Sequence, residues 1–233
     1  MKPKPLANQY CGIGLSILPQ PRSDVFDLSW ERQFGWPNSA VAGVDEAGRG
    51  AWCGPVVAAA VIMPEDETIL GLNDSKKLSP RRRAALAAQI QHACQVGIGQ
   101  ASVEEIDRLN ILQASLLAMR RALLAVGAEA ALIDGNKIPD MRDVAMPCKP
   151  VIGGDAKIVS IAAASIIAKQ HRDQIMDRLS EVFPDYDWQR NKGYGTASHQ
   201  KALAAFGPCA HHRYSFKPIR SLALNPVDKT GEM

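Results

Sequence analysis

The sequence predicts an α/β fold in which helices flank one mixed five-stranded sheet. Three observations carry that prediction. The continuous apolar run Pro55 to Met63 (PVVAAAVIM), bounded by Gly54 and Pro64, suits a strand buried on both faces. Two short apolar segments, Ala40 to Asp45 and Ala130 to Asp134, each end in an acid. Stretches with apolar residues at helical spacing separate and follow these segments, long enough to carry a crossover between parallel strands.

Each element has its own warrant. Ala40 to Asp45 reads as the first strand, and Gly48-Arg49-Gly50 turns the chain toward the second, Pro55 to Met63. Ser79-Pro80 starts a helix, with Ser as the cap and Pro at the first helical position, and the helix runs to about Cys94. Gln95 to Ala101 is the third strand. Ser102-Val103-Glu104-Glu105 is a capping box. It opens a helical region whose apolar residues (Ile106, Leu109, Leu112, Leu116, Met119, Leu123) keep the period until Gly127 ends it. Ala130 to Asp134 is the fourth strand and Lys149 to Ile152 a shorter fifth. A long helix follows from Ser160 to about Ser180, and another from Ser198 to Phe206. The first three strands are expected to be antiparallel and the fourth parallel to its neighbour.

Residues 1–38 are punctuated by proline and lack a period, so they are expected to form a flexible N-terminal extension. One domain is expected over 39–220, with a C-terminal tail over 221–233. The 233 residues, 46% hydrophobic and 22% charged, exclude wholesale disorder, a collagen-like fibre and a coiled coil. No apolar stretch reaches the ~20 residues of a membrane span, and no signal-peptide pattern opens the chain. Five scattered cysteines without a C-x-x-C pair fit a reducing compartment, and a cytoplasmic monomer is expected. Cys209-Ala210-His211-His212 lacks a second ligand pair at suitable spacing, so zinc is not expected there.

The net charge is only +3, but its distribution is uneven. Trp188 to Arg220 holds six basic residues and no acid, and Asp74 to Arg83 holds five bases against one acid. Either these are solvated faces or they meet a polyanion.

Asp45-Glu46 and Asp134 follow apolar strands. If those strands are parallel neighbours, their carboxylates meet at the C-terminal edge, where open α/β sheets place their sites. A turn after Asp45 could bring Glu46 to the same side. Asp155, after Gly153-Gly154, is either a further carboxylate or an Asx turn. Clustered carboxylates repel unless a cation holds them, and hard divalent ions take oxygen ligands. Three or four carboxylates with basic flanks point to metal-assisted phosphodiester chemistry. Gly48-Arg49-Gly50 leads into a strand, so the dinucleotide-binding context is missing, and no Walker A sequence occurs. The loop is either a hairpin turn or a place for close backbone approach to a ligand. Ser75 and Lys76 offer a hydroxyl and a cation to a phosphate. Tyr194, between Gly193 and Gly195, either anchors its loop or stacks on a base or sugar.

These segments resemble bacterial ribonuclease HII. The resemblance is carried by Gly43-Val44-Asp45-Glu46-Ala47-Gly48-Arg49-Gly50, Asn73-Asp74-Ser75-Lys76-Lys77-Leu78-Ser79, Ile133-Asp134-Gly135 and Gly154-Asp155. Ile161 to Lys169 with Arg172-Asp173, Lys192-Gly193-Tyr194, and His212-Arg213 with Ser215-Phe216 complete it, so that it spans about Val41 to Pro218. The resemblance implies an RNase H-like fold. It implies an endonuclease that hydrolyses RNA in RNA–DNA hybrids and incises at ribonucleotides embedded in duplex DNA, leaving 3′-hydroxyl and 5′-phosphate ends. It assigns Asp45, Glu46, Asp134 and Asp155 to catalysis and to Mn²⁺ or Mg²⁺, two ions with substrate bound. It assigns Gly48, Arg49, Gly50, Ser75, Lys76, Tyr194 and Arg213 to the substrate. Two other classes remain for comparison, a binding protein without catalysis and a nuclease of branched DNA. The sequence departs from the family pattern at Ala51-Trp52-Cys53, which is bulkier, and in the length of the N-terminal extension.

Overall fold

A computed structural model describes residues 27–65 and 78–224. The helices are α1 (Ser29–Gln33), α2 (Pro80–Ala93), α3 (Val103–Leu109), α4 (Ile111–Val126), α5 (Val159–Val182), α6 (Trp188–Asn191), α7 (Ala197–Phe206) and α8 (Lys217–Leu224). The strands are β1 (Val41–Ala47), β2 (Val56–Ile62), β3 (Gln95–Ala101), β4 (Ala130–Asp134) and β5 (Cys148–Val151). They form one sheet in the order β3-β2-β1-β4-β5. β1, β2 and β3 are antiparallel to one another in turn, and β4 and β5 run parallel to β1. This is the mixed sheet the sequence predicts.

Helices cover both faces. Ala42, Val44, Ala58, Ala60 and Ile133 pack against Ala114, Ala118 and Leu123 of α4. On the other face Ala59 and Val61 pack against Leu86 and Ile90 of α2 and Ala163 and Ile167 of α5. All seven residues of β2 are buried, which is why its sequence is unbroken rather than alternating. Gly43 lets α5 approach β1, since a Cβ there would overlap the backbone of Ser160 and Ile161. That approach brings the N-terminal half of α5 against the end of β1.

The structure differs from the sequence expectation in three places. The helical region after Ser102 is two helices. Asn110 adopts a left-handed φ of 70°, and its side chain accepts from the N–H groups of Leu112 and Gln113, capping α4. A second difference concerns residues 28–38, which are not loosely attached. Glu31 of α1 is fully buried and accepts the backbone N–H of Ser160 at 3.1 Å. It satisfies the first turn of α5, whose own cap residue Ile158 offers no side-chain bond. Trp36 donates its indole N–H to the Met63 carbonyl at 3.1 Å and packs with Val41, Leu132 and Ile161. The domain therefore starts before Ala40. A five-residue helix carries too little period to be read from sequence. Thirdly, α8 runs across the expected boundary at 220, and its Ile219 is buried with Cys53, Met176 and Trp188.

Among the described residues no helix is long and apolar enough to cross a membrane.

Candidate active site

The register of the sheet assembles the acidic residues. Val44 of β1 stands opposite Ile133 of the parallel β4, so the next residues, Asp45 near the end of β1 and Asp134 at the end of β4, come side by side. β1 continues to Ala47, so no turn rotates Glu46 to the side of Asp45. Strand alternation points Asp45 toward α5 and Glu46 away from it, yet the charge of Asp134 still acts on both. Asp45 accepts the Glu46 N–H at 2.7 Å and a hydrogen bond from Ser165 of α5. Asp134 accepts the N–H of Gly154 at 2.7 Å, and its carboxylate also takes a backbone bond from Asp155. Asp155, half-buried, lies in the short 3₁₀ turn Gly154–Ala156 between β5 and α5.

Asp45, Glu46 and Asp134 each feel the charge of at least one other of these carboxylates. Burial pushes Asp45 well above the ordinary carboxylate range, and the charges of Glu46 and Asp134 raise it further. Glu46 is raised chiefly by burial, against the pull of Arg49, whose guanidinium lies 3.1 Å from its carboxylate. Asp134 is raised by burial and by the charge of Asp155. Protons or a divalent cation would relieve this repulsion. The donor set is all oxygen, which suits a hard divalent ion. No three of these carboxylates close to within 4.8 Å of one another; among the described residues only Cys53, His199 and His212 do so.

That second cluster is a neutral hydrogen-bonded corner. The Trp188 indole, a donor only, reaches His199 Nε2 at 3.2 Å, so His199 carries its proton on Nδ1 and donates it to the Tyr194 carbonyl at 3.0 Å. The Cys209 N–H donates to His212 Nδ1 at 3.0 Å, so His212 is protonated on Nε2 and donates to His199 Nε2 at 3.1 Å. Burial, and then the neighbouring His199, pushes His212 down to about 4. Burial pushes the Cys53 thiol up to about 12. The imidazole lone pairs a metal would need are already engaged.

The expected substrate residues fall into three groups. Gly48, Arg49 and Gly50 form the loop between β1 and β2, next to the acids, and Arg49 and Gly50 are exposed. Tyr194 is half-buried beside them, and a Cβ on Gly50 would lie 3.9 Å from its ring. Ser75 and Lys76 lie outside the described residues. Arg213 requires a correction. It is fully buried, and its guanidinium donates to the carbonyls of Arg49, Ala51, Gly54 and Pro55 at 2.7–3.2 Å. Its side chain is sealed inside the protein and holds the glycine loop rather than facing solvent, where a phosphate would come. The bulky Trp52 also has a place, its ring lying where a Cβ on Gly195 would be.

Sequence reasoning gave no role to Ser165, Lys169 or Arg172 of α5. The signal was present, since a helix as apolar as Ile161 to Ala168 is followed by Lys169 and Arg172-Asp173, charges on a buried face. Asp173 pairs with Arg83 at 2.9 Å and with Lys169 at 2.6 Å.

The family model described as Ribonuclease HII matches residues 42–219. A protein named Ribonuclease HII from Sphingopyxis alaskensis is 55% identical over 186 residues, covering 79% of this chain and 92% of that protein. One of the same name from Magnetococcus marinus is 54% identical, covering 78% of this chain and 86% of that protein. Among solved structures, one of a PCNA:RNase HII complex from Archaeoglobus fulgidus matches with a TM-score of 0.67 at 29% identity, covering 78% of this chain and 96% of that one. Bst-RNase HIII in complex with Mn²⁺ shares the fold, with a TM-score of 0.64 at 22% identity over 79% of this chain and 69% of that one.

Proposed function

The chain belongs to the ribonuclease HII family, and on that premise we propose that Asp45, Glu46, Asp134 and Asp155 are its catalytic centre. The protein is an endoribonuclease that hydrolyses the RNA of RNA–DNA hybrids with the help of divalent metal ions. The observation that carries the assignment of the site is the parallel pairing of β1 with β4, which sets Asp45 of β1 beside Asp134 at the end of β4.

The four carboxylates would hold Mn²⁺ or Mg²⁺, two ions when substrate is bound. Held there, such ions would supply an activated water and stabilise the leaving 3′ oxygen, which would give 3′-hydroxyl and 5′-phosphate ends. The chain's own residues prepare the rest. Ser165 and the Glu46 N–H fix the orientation of Asp45. Gly154 fixes Asp134 and so sets where Asp155 stands. Arg49 and Gly50 are the exposed part of a loop beside the acids, with Gly48 buried behind them, and its backbone groups can approach a ribose 2′-hydroxyl, the group that separates RNA from DNA. Tyr194, flanked by glycines, offers a ring for stacking on the adjacent nucleotide. Together these two segments support incision at a single ribonucleotide embedded in duplex DNA. Lys76 and Ser75 are read as phosphate contacts from the resemblance.

The test is cleavage of a labelled RNA–DNA hybrid with Mn²⁺, with Mg²⁺ and with chelator. Internal cuts in the RNA strand that need the metal support the reading. Binding without cleavage under every metal condition would make the protein a non-catalytic relative.

A further inference from the structure

Arg172 stands between the two segments to which substrate reading is assigned. It is fully buried on α5. Its guanidinium donates to the carbonyls of Cys53 at 3.0 Å and Pro55 at 3.1 Å, both in the stretch that supports the glycine loop. On its other side it donates to the carbonyl of Lys192 at 2.9 Å, two residues before Tyr194. The Tyr194 ring lies over the same guanidinium, with 5.5 Å from its Cζ to the ring centroid. The loop is packed onto this side chain as well. Gly48 has a φ of 95°, and a Cβ there would overlap the Arg172 side chain.

The neighbouring arginine provides the contrast. Arg213 bonds only to carbonyls of residues 49–55, so it shapes one segment. Arg172 joins two. Outside this side chain, the backbone bond from Trp52 N–H to the Gly193 carbonyl, 2.8 Å, also links them. Lys192 is itself held at a φ of 49°, unusual for a residue with a side chain. Such a conformation persists only where its surroundings over-determine it. The bond from Arg172 and the ion pair between Lys192 and Asp177 do so here. A planar fork with donors in fixed directions suits this task, and a lysine ammonium does not.

We propose that Arg172 is a positioning residue that locks Tyr194 at a set distance from the Gly48-Arg49-Gly50 loop, so that the two segments read one nucleotide step as a single unit. The inference rests on the substrate roles proposed above for Tyr194 and the glycine loop. Its consequence is selectivity. A single embedded ribonucleotide offers one register, so both contacts must be met at once. A continuous hybrid offers many registers and tolerates a loosened pair.

The experiment is a double-mutant cycle with wild type, Arg172→Lys, Tyr194→Ala and the double variant. The readout is kcat/KM on duplex DNA with one ribonucleotide and on a continuous hybrid, with Tm recorded for each protein. Each single variant is expected to lose about tenfold on the single ribonucleotide. The double variant is expected to lose about as much as the worse single, not about a hundredfold, because both remove one coupled interaction. Losses on the hybrid are expected to be smaller. Multiplied losses in the double variant, equal losses on both substrates, or full activity in Arg172→Lys would overturn the proposal. If Arg172→Lys does not fold, Arg172→Gln, which keeps a planar N–H₂ donor, takes its place in the same cycle. A wild-type protein that cuts neither substrate removes the nuclease reading and the inference with it. Additive losses in an active protein remove the inference alone.

Discussion

The Asp134 carboxylate accepts the backbone N–H of Gly154 at 2.7 Å, so the last residue of β4 grips the turn that carries Asp155. Asn at 134 can still accept that bond, which separates the structural part of the side chain from its charge. Asp134→Asn should keep the wild-type Tm within a few degrees and lose about 100-fold or more in rate, as expected when a metal ligand loses its charge. Turnover near wild type at saturating Mn²⁺ would remove Asp134 from the centre.

Asp45 is a buried acid whose proton affinity is raised by burial and by its acidic neighbours. An acid with a raised folded-state pKa binds protons more tightly when folded. Its stability contribution is therefore full below the unfolded value, about 3.9, and is lost as pH rises through the folded value. In chelator near pH 7 the ionised form is a cost, so Asp45→Asn should raise Tm, by about 2–4 °C for each kcal/mol relieved. It should also abolish cleavage. The gain should shrink as pH falls and as Mn²⁺ is added to the wild type. A lower Tm in Asp45→Asn at every pH would show that Asp45 is stabilising as a charge.

α1 caps α5 through Glu31. Glu31→Ala leaves the Ser160 N–H buried without its acceptor, a loss of about 1–3 kcal/mol. Glu31→Gln keeps an acceptor and should retain most of the stability. Deleting residues 1–26 should leave cleavage of a simple duplex intact, because every recognised motif lies after them. Deleting 1–38 should lower Tm sharply, because Glu31 and Trp36 go with it. Equal Tm for the two truncations would show that α1 contributes nothing to the domain.

Arg49 and Arg213 should respond differently to salt. Arg49 is about half exposed beside the acids and Arg213 is sealed in the protein. If Arg49 meets a phosphate, Arg49→Ala should reduce the slope of log affinity against log salt by about 1. Arg213→Lys should weaken cleavage and stability by loosening the glycine loop, with the wild-type salt slope kept. A flattened slope in Arg213→Lys would restore a direct phosphate contact.

The sheet was legible because its strands announce themselves by composition. The run from Val56 to Ile62 is apolar throughout since both faces are covered, and β3 and β4 match the predicted limits residue for residue. The neighbourhood of Asp45 and Asp134 was legible, because two aspartates at the ends of predicted apolar strands become neighbours once the strands pair in parallel. Asn110 was hidden because it breaks the helix without breaking the apolar period on either side. α1 was hidden because its one decisive residue, Glu31, reads as a surface acid until α5 is placed over it. The buried arginines were hidden for the same reason. Arg213 in a basic segment looks like a phosphate ligand, and only the four carbonyls around it reveal that its charge is spent within the fold. Local pattern shows period and punctuation; it does not show which polar groups are satisfied by residues more than a hundred positions away.

The proposed function requires that the carboxylates of Asp45 and Asp134, set side by side by β1 and β4, serve to cut nucleic acid where a ribose is present. The most direct measurement is incision of a duplex DNA carrying one ribonucleotide, beside the same duplex without it, by wild type and Asp134→Asn with Mn²⁺. The account predicts a single cut at the ribonucleotide by the wild type, leaving a 5′-phosphate, with no cut in the all-DNA duplex and a loss of about two orders of magnitude or more in Asp134→Asn. Cutting of both duplexes alike, or equal cutting by the two proteins, would contradict it.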